Sequence, residues 1–334
     1  MPTAMPLPPR ALPRRFRQPR LLLVGCGDVA ARIARQLHGR YRIRALLRHD
    51  VGGPEWRHWR SLGTTPLQAD LDQPVSLKRM RGVADKIIYL APPADTEAGS
   101  HPRPLDPRLN RFLATLHGGL SLPCQQVLIS TTGVYGDQQG ALIDETCPVH
   151  PETTRAQRRA HAEATWRKWH RTRVAGRLAS PRSVRPNSPI LRVPGIYAAD
   201  RLPVERLRTG TPALRPEDDT WTNHIHADDL ARACWLALTR PKAGSLRVIN
   251  TCDNSDLKMG DWFDAVADAS GLPRPQRLPR AELKTRVSPM MYSFMSESRR
   301  LDNTRLRREL RLQLAYPTVH DFLATLHSSQ GTPC

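Results

Sequence analysis

The sequence predicts a Rossmann-type α/β fold: a doubly wound parallel sheet, covered by helices on both faces, with a small C-terminal lobe packed on it. Three observations predict it. The 334 residues can bury a large core, apolar strands alternate with helical segments, and a Gly-x-Gly turn joins the first strand to the first helix. Strands and helices that alternate at this spacing require right-handed crossovers, and therefore a parallel sheet.

The first element is the apolar run "RLLLVG", residues 20–25, which is typical of a strand buried on both faces. "DVAARIARQLHG" follows with helical spacing of its apolar residues, with Asp28 at its start and Gly39 just past its end. Four further strands are predicted at residues 41–48, 65–71, 85–92 and 125–136, the last ending in a glycine loop. Helices are predicted between them at residues 53–62, 75–82 and 105–117.

The alternation continues beyond residue 150. A helix is predicted near residues 153–170, a strand at 188–197, helices at 204–208 and 230–238, and a strand at 246–252. The last eighty residues indicate mostly helices and loops. We therefore expect an N-terminal arm (1–19), a nucleotide-binding core (20–186), and a segment (187–330) that completes the sheet and forms the lobe.

The charge of the chain indicates an anionic partner. Lys and Arg number 51 against 31 Asp and Glu, a net charge of +20. The charges concentrate in residues 1–20, with six prolines, five arginines and no acid, and in the acid-free stretch 164–199. These segments predict a disordered arm and a basic loop rather than one nucleic-acid face with interleaved aromatic residues. A small anionic molecule is therefore the expected partner, and nucleic acid is not.

Hydropathy and cysteine usage bear on location. No apolar run reaches the roughly 18 residues that a membrane span needs, so no membrane partner is expected. The six cysteines are scattered and form no C-x-x-C pair, which is typical of reduced thiols. These patterns predict a cytoplasmic protein.

The turn after the first strand fits the pattern G-x-G-x-x-G/A between a strand and a helix. Gly25 permits the tight turn, Gly27 lets backbone approach a pyrophosphate, and Ala30 lets the helix lie close to the strand. The amides at the start of the helix can then point at the phosphates. The predicted cofactor-binding residues of this turn are Gly25, Cys26, Gly27, Asp28, Val29 and Ala30.

Other strand ends complete the predicted cofactor site. Arg48 ends the second strand, about twenty residues beyond the glycines, where NAD sites usually have an acid for the ribose hydroxyl. A basic residue there suits a 2′-phosphate and favours NADP, with NAD still possible, because Asp50 lies two residues later and could contact the ribose. Carboxyl ends of strands bind ligands in open α/β sheets, so the set extends to Asp70, Leu71, Ala91 and Pro92.

Four stretches carry a family resemblance: "STTGVYGDQQG", "DETCPVHPETTRAQRRAHAEA", "LRVPGIYAADRLPVERLRTGTP" and "NHIHADDLARACWLAL". In order and spacing the chain resembles the extended and atypical short-chain dehydrogenase/reductases of the NAD(P)-dependent epimerase/dehydratase superfamily, and within it the YeeZ-like, nucleoside-diphosphate-sugar epimerase-like subgroup. The resemblance runs from about residue 20 to about residue 327. It implies the fold, NAD(P) binding and, by analogy, a homodimer.

Active members of the wider family use a Ser or Thr three residues before Val-Tyr-Gly, and a Tyr and a Lys four residues apart on the next helix. The resemblance assigns the first role to Thr131. Arg155 and Arg159 stand where the Tyr and Lys would be. Arginine keeps its proton, so it can anchor an anionic substrate but cannot serve as the acid/base.

Two histidines in "TNHIHADD" are the remaining candidates for proton transfer, because the corresponding segment of the family lines the substrate cleft and histidine titrates near neutral pH. We expect His224 to be catalytic and His226 and Asn223 to contact substrate, although strand alternation points Asn223 to the face opposite the histidines. Pro194 is expected to border the nicotinamide.

Two functions follow from these residues. One is an NAD(P)-binding enzyme, of epimerase/dehydratase or oxidoreductase type, that acts on a sugar-nucleotide-like or other small anionic substrate. The alternative is a non-catalytic protein that senses NADP(H), which the missing Tyr and Lys favour. No metal site is predicted.

Overall fold

The computed structural model describes residues 18–49, 51–94, 105–119, 122–178, 186–241 and 245–330. The predicted arm therefore lies outside the described residues except for its last two positions. Asp50 and residues 179–185 of the predicted basic loop lie outside them as well.

The first half of the chain alternates strands and helices as predicted. Short 3-10 helices lie at Lys78–Met80 and Thr132–Tyr135. The elements are β1 (Arg20–Val24), α1 (Asp28–Gln36), β2 (Arg42–Leu47), α2 (Pro54–Ser61), β3 (Thr65–Gln68), α3 (Pro74–Leu77), β4 (Lys86–Tyr89), α4 (Pro107–His117), β5 (Gln125–Thr131) and β6 (Leu142–Ile143).

The second half adds two strands to the sheet and builds the lobe. A 3-10 helix lies at Ala199–Arg201. The elements are α5 (Thr154–Leu178), β7 (Ile190–Val193), β8 (Gly195–Tyr197), α6 (Val204–Arg208), β9 (Ala213–Leu214), β10 (Trp221–Thr222), β11 (His224–His226), α7 (Ala227–Thr239), β12 (Val248–Asn250), β13 (Leu257–Lys258), α8 (Met259–Ala269), β14 (Arg277–Leu278), α9 (Arg280–Arg286), α10 (Pro289–Phe294), β15 (Arg300–Leu301), α11 (Thr304–Glu309) and α12 (Val319–Gln330).

The central sheet has seven strands in the order β12-β7-β5-β4-β1-β2-β3, and all its neighbouring strands are parallel. The chain winds outward from β1 through β2 and β3, then returns to β4 on the other side of β1. The strand order therefore reverses between β1 and β4, where an open α/β sheet forms a crevice at its carboxyl edge. The predicted doubly wound parallel fold is confirmed.

Both faces of the sheet are buried, which explains why its strands are apolar without interruption. In β1, Leu21 and Leu23 point into the layer of α1 and α7, whereas Leu22 and Val24 point into the layer of α4 and α5. Among the described residues, no helix is long and apolar enough to cross a membrane.

Three strands at the carboxyl edge end earlier than predicted. β3 ends at Gln68 and β4 at Tyr89, and β5 gives way at Thr131 to a 3-10 helix. After β3, the carboxylate of Asp70 accepts the amide of Asp72 at 2.9 Å and forms a local turn. After β4, the pair Pro92-Pro93 offers no N–H groups for a strand ladder. The predicted ligand-binding residues therefore lie in loops at this edge.

Helix α5 is longer than predicted and includes part of the stretch that the sequence predicts as a basic loop. Arg173 explains the extension, because its side chain is buried against the sheet. Its guanidinium donates to the Pro123 carbonyl at 2.5 Å and to Gln126 Oε1 at 3.2 Å, and it lies 4.6 Å from the centroid of the Trp169 ring. An arginine can thus continue a packed helix rather than mark a solvated loop.

The strand predicted at 188–197 divides at Pro194. β7 belongs to the central sheet, whereas β8 pairs with β11 in a separate two-stranded parallel sheet. The lobe core is built on aromatic side chains of β8, α8 and α12, among them Tyr197, Trp262 and Phe322. β7 and β12 join the central sheet from the second half of the chain, and the division into domains at residue 186 stays a prediction.

Two titratable groups are buried together in the lobe. The His224 ring lies 4.7 Å from the Trp262 ring centroid, and burial lowers its pKa to about 3. Asp253 donates its amide to the His224 carbonyl at 2.8 Å, and burial raises the pKa of its carboxyl group to about 7. Both groups therefore make the stability of the fold depend on pH, in opposite directions.

Replacing Gly25 by Ala should destabilise the protein by about 3 kcal/mol. Gly25 has φ +93°, and a Cβ there would lie 2.3 Å from the Ala91 amide nitrogen. Gly27→Ala is the matched control, since a Cβ at Gly27 meets no atom within 4 Å, and it should cost less than about 1 kcal/mol. Urea unfolding of both variants measures the difference, and equal losses would contradict the close approach of the two strand ends.

His224→Gln should remove an acid-dependent loss of stability. The ordinary pKa of 6.5 holds in the unfolded chain, and the folded value is lower, so the contribution of His224 is complete above pH 6.5 and is lost as pH falls toward 3. The wild-type advantage over the variant should shrink in that window, by up to about 1.4 kcal/mol per pH unit. A pH-independent difference in urea unfolding would refute this.

Asp253→Asn should show the opposite dependence. The carboxyl group titrates near its ordinary 3.8 when unfolded and at about 7 when folded, so its contribution is complete below pH 3.8 and is lost as pH rises through 7. The wild type should therefore lose stability relative to the variant over this range in the same unfolding assay. In the wild type the pH dependences of stability that come from His224 and Asp253 largely cancel. The single variants are therefore needed to measure either one.

Candidate functional site

The glycine turn lies at the point where the strand order reverses. Gly25 packs against the end of β4 so closely that its missing side chain is essential, and its positive φ suits glycine. The Leu90 amide donates to the Val24 carbonyl at 2.7 Å and continues the β1–β4 ladder up to this contact. The turn is thereby fixed on the neighbouring strand, as the motif predicts.

Gly27 leaves space in front of the first helix. It is the N-cap of α1, it carries no capping side chain, and a Cβ built on it meets no atom within 4 Å. The backbone amides of the first turn, from Asp28 to Ala30, therefore open onto free volume rather than onto a capping group. Ala30 is buried against the sheet, and Cys26 is partly buried, with burial raising the pKa of its thiol. This arrangement fits an anion at the start of α1.

The other predicted cofactor residues line the same edge. Arg48 follows β2 and is exposed, and Pro92 is exposed after β4. Leu71 and Ala91 are buried, so they can offer only backbone to a ligand. Asp70 is partly exposed, and its side chain is engaged in the local turn after β3.

Thr131 is the last residue of β5 and is partly exposed at the carboxyl edge. Its hydroxyl accepts the Gly133 amide at 3.3 Å, which leaves its proton free for another acceptor. The neighbouring Ser130 points the other way and donates to the buried carboxylate of Glu163 at 2.7 Å. Of these two neighbouring hydroxyls, that of Thr131 is the one presented at the edge.

Arg159 lies across the ends of two strands. Its Nη1 donates to the carbonyl oxygens of Ala91 at 3.3 Å and Ile129 at 3.1 Å. Burial lowers the pKa of its guanidinium, and the nearby Asp106 opposes that shift. The side chain thus places a positive charge at the carboxyl ends of β4 and β5.

Arg155 lies one turn earlier on α5 and is exposed. Its guanidinium carbon lies 5.5 Å from the centroid of the Phe294 ring, on helix α10 of the lobe. The charge of Arg155 contributes to lowering the pKa of Arg159, as expected of like charges on one helix face. The two arginines are therefore brought together as predicted, at the mouth between sheet and lobe.

Tyr135 cannot take the place of a tyrosine on α5. It is fully buried beneath the loop, donates its hydroxyl to Asn250 Oδ1 at 2.7 Å, and burial raises its pKa. The Arg192 guanidinium lies 4.5 Å from its ring centroid. These contacts hold the tyrosine under the loop.

The two histidines do not lie where the sequence predicts. The predicted alternation of side chains along β11 is correct. The face that bears the two histidines, however, packs into the lobe core instead of lining a cleft. His224 is 4 % exposed and is neutral at working pH. His226 is buried too, accepts the Asp228 amide at 3.2 Å as the cap of α7, and lies 4.2 Å from the Tyr316 ring centroid.

Asn223 and Pro194 are the two remaining residues that the sequence predicts at the site. Asn223 donates to the Arg299 carbonyl at 2.9 Å and accepts the Leu301 amide at 3.0 Å, so its amide ties β11 to the segment that contains β15. Pro194 is partly exposed between β7 and β8. Asn223 therefore joins two strands, and Pro194 remains next to the edge.

A buried ion pair lies beneath the site, and the sequence predicts neither of its residues as a site residue. Glu163 of α5 accepts Arg192 Nε at 3.0 Å and Nη2 at 2.8 Å, and both side chains are under 5 % exposed. The sequence carries one signal for it. Arg192 stands inside the apolar strand "PILRV", and a charge in a buried strand requires a buried counter-charge.

These residues define what the site can do. The edge offers free amides, a hydroxyl and two guanidiniums, which together bind anions and polarise an oxygen. Helix α5 has no Tyr or Lys at positions 155 and 159 that could exchange a proton. Among the described residues, no group of three or more His, Cys, Asp or Glu side chains could hold a metal ion.

Comparison with solved structures shows the same fold. A conserved protein of unknown function from Silicibacter pomeroyi is 26% identical, with a TM-score of 0.68 over 94% of this chain and 100% of that one. UDP-glucuronic acid 4-epimerase from Bacillus cereus, solved with NAD, is 15% identical, with a TM-score of 0.67 over 92% and 99%. UDP-glucose 4-epimerase from Thermotoga maritima, solved with UDP-glucose, is 15% identical, with a TM-score of 0.67 over 93% and 99%.

Among proteins with curated functional descriptions, none matches the chain. The model of the NAD dependent epimerase/dehydratase family matches residues 29–252, which is most of the sheet, the glycine-turn helix and both site arginines. The chain therefore belongs to the NAD dependent epimerase/dehydratase family.

Proposed function

We propose that the protein binds NAD(P) across the carboxyl edge of its sheet and holds a small anionic, sugar-nucleotide-like molecule beside Thr131. The single observation that carries the cofactor half is the pair of glycines. Gly25 is locked against Ala91, while Gly27 leaves open volume before the amides of α1. A side chain at Gly27 would fill the space that a pyrophosphate needs.

Different loops at this edge would each hold a different part of the cofactor. The amides from Asp28 to Ala30 would take the pyrophosphate, and the loops at Asp70 and Leu71 would frame the adenine. Ala91, Pro92 and Pro194 would border the nicotinamide half. When bound, NAD(P) supplies hydride transfer. The chain itself supplies position and charge.

Arg48 supports a preference for NADP. It is exposed directly after β2, where the adenosine ribose passes in this fold. A guanidinium there would pair with a 2′-phosphate, whereas NAD offers only a hydroxyl. NADP is therefore the proposed cofactor, with NAD as the second ligand.

Thr131, Arg155 and Arg159 support an anionic substrate. The Thr131 hydroxyl would donate to an oxygen on the reacting carbon, and the two guanidiniums would hold a negative group close to it. Epimerases of the same fold have been solved with UDP-glucuronic acid and with UDP-glucose, which makes this substrate class the first to test. Epimerisation, dehydration and oxidation remain separate outcomes of that test.

The second candidate is a non-catalytic sensor of NADP(H). It is favoured by the burial of two side chains that could have taken the role of the family tyrosine. Tyr135 donates to Asn250 under the loop, and His224 is enclosed in the lobe. A sensor needs the cofactor site and no proton donor. A homodimer and a cytoplasmic location stay predictions under either function.

A turnover assay separates the two functions. Purified protein is incubated with NADP or NAD and with UDP-glucose or UDP-glucuronic acid as probes, while the absorbance of the reduced nicotinamide is followed and the sugars are analysed. A change in either signal that depends on the sugar supports the enzyme. Cofactor binding without any such change supports the sensor, and binding of no cofactor contradicts both.

Arg48→Asp should weaken NADPH binding about tenfold or more, because the variant loses one charge-assisted contact and adds a repulsive carboxylate. NADH affinity should stay within about twofold of wild type, since NADH has no 2′-phosphate. Fluorescence titration with both cofactors measures this. Arg40→Asp, at the opposite end of β2, is the matched control and should change neither affinity, and equal effects of Arg48→Asp on both cofactors would refute the NADP preference.

A further inference from the structure

Arg201 lies on the short 3-10 helix between β8 and α6, at the mouth of the carboxyl edge. The backbone around it is anchored in the lobe, because Tyr197 and Ala198 are buried and Leu202 packs against the lobe core. The side chain itself is 36% exposed, and its Nη1 lies 3.4 Å from Asp28 Oδ2. The lobe thus presents a guanidinium beside the first residue of α1.

The carboxylate of Asp28 has a second and closer partner. Nε of Arg32, one turn along α1, lies 3.0 Å from both of its oxygens. Arg32 also holds Asp228 at 3.0 Å and Asp200 at 2.8 Å, and its side chain is only 14% exposed. Arg32 is therefore fully engaged by three carboxylates and cannot turn toward a ligand.

Arg201 differs from Arg32 in every respect that matters for binding. It has one long ion pair and it is exposed, and Asp28 keeps its closer ion pair with Arg32 when Arg201 moves away. The start of α1 favours negative charge, and in the free protein the Asp28 carboxylate provides it. A dinucleotide brings a pyrophosphate to the open volume in front of Gly27, one residue from Asp28.

We propose that Arg201 is a cofactor-binding residue whose guanidinium leaves Asp28 and pairs with the pyrophosphate of the dinucleotide. The inference rests on the proposed cofactor site and adds a contact from the lobe that the glycine motif does not contain. Binding would then draw the loop between β8 and α6 onto the turn. The cofactor would be held from two sides, by amides of α1 and by the guanidinium of Arg201.

Isothermal titration of the full chain with three probes tests the proposal. ADP-ribose and NADH contain the pyrophosphate, whereas adenosine lacks it. Arg201→Ala should bind ADP-ribose and NADH about tenfold more weakly than wild type, with a smaller dependence on salt, and should bind adenosine unchanged. Arg201→Lys should recover part of the affinity, since it restores charge without the planar fork.

Arg208→Ala is the matched control, because Arg208 is an exposed arginine of α6 whose ion pair with Glu205 measures 3.8 Å. It should bind all three probes like the wild type. The proposal is overturned when Arg201→Ala binds ADP-ribose as tightly as wild type, or when it loses adenosine equally. A wild-type protein that binds none of the probes overturns the proposed cofactor site itself, and that result is distinct from both.

Discussion

The buried ion pair between Glu163 and Arg192 fixes the long helix α5 on the sheet, and the candidate site depends on that helix. The carboxylate accepts hydrogen bonds from two guanidinium nitrogens of Arg192, Nε and Nη2, and from the hydroxyl of Ser130. Removing one partner of such a pair typically costs about 3–5 kcal/mol, because the other charge stays buried and unpaired. The pair therefore holds β5, β7 and α5 in one arrangement, with Arg159 one turn above Glu163 at the edge.

From this arrangement the chemistry of the edge follows. One nitrogen of Arg159 donates to the carbonyls of Ala91 and Ile129, so the positive charge is held at the ends of β4 and β5. Gly25 meets the backbone of Ala91 on the other side. Ala91, a loop residue after β4, thus contacts both the glycine turn and Arg159. The site is organised to bind charge, and α5 has arginines rather than a Tyr and a Lys at positions 155 and 159.

Structural features that depend on residues close together in the sequence were predictable. The glycine turn, the alternation of strands and helices and the helical spacing of Arg155 and Arg159 all follow from local spacing. The direction in which β11 faces does not, because alternation separates His224 from Ile225 but cannot say which layer covers each face. The partners of Arg192 and Arg201 lie 29 and 173 residues away along the chain, and only the fold brings them together.

The central claim is that the crevice between β1 and β4 holds a dinucleotide, with two arginines in place of an acid/base pair. A crystal structure of the protein grown with NADPH tests it most directly. The account predicts density for the pyrophosphate over Gly27 and for the nicotinamide half between Thr131 and Arg159. Density for the cofactor elsewhere, or a crevice that stays empty at saturating NADPH, would contradict it.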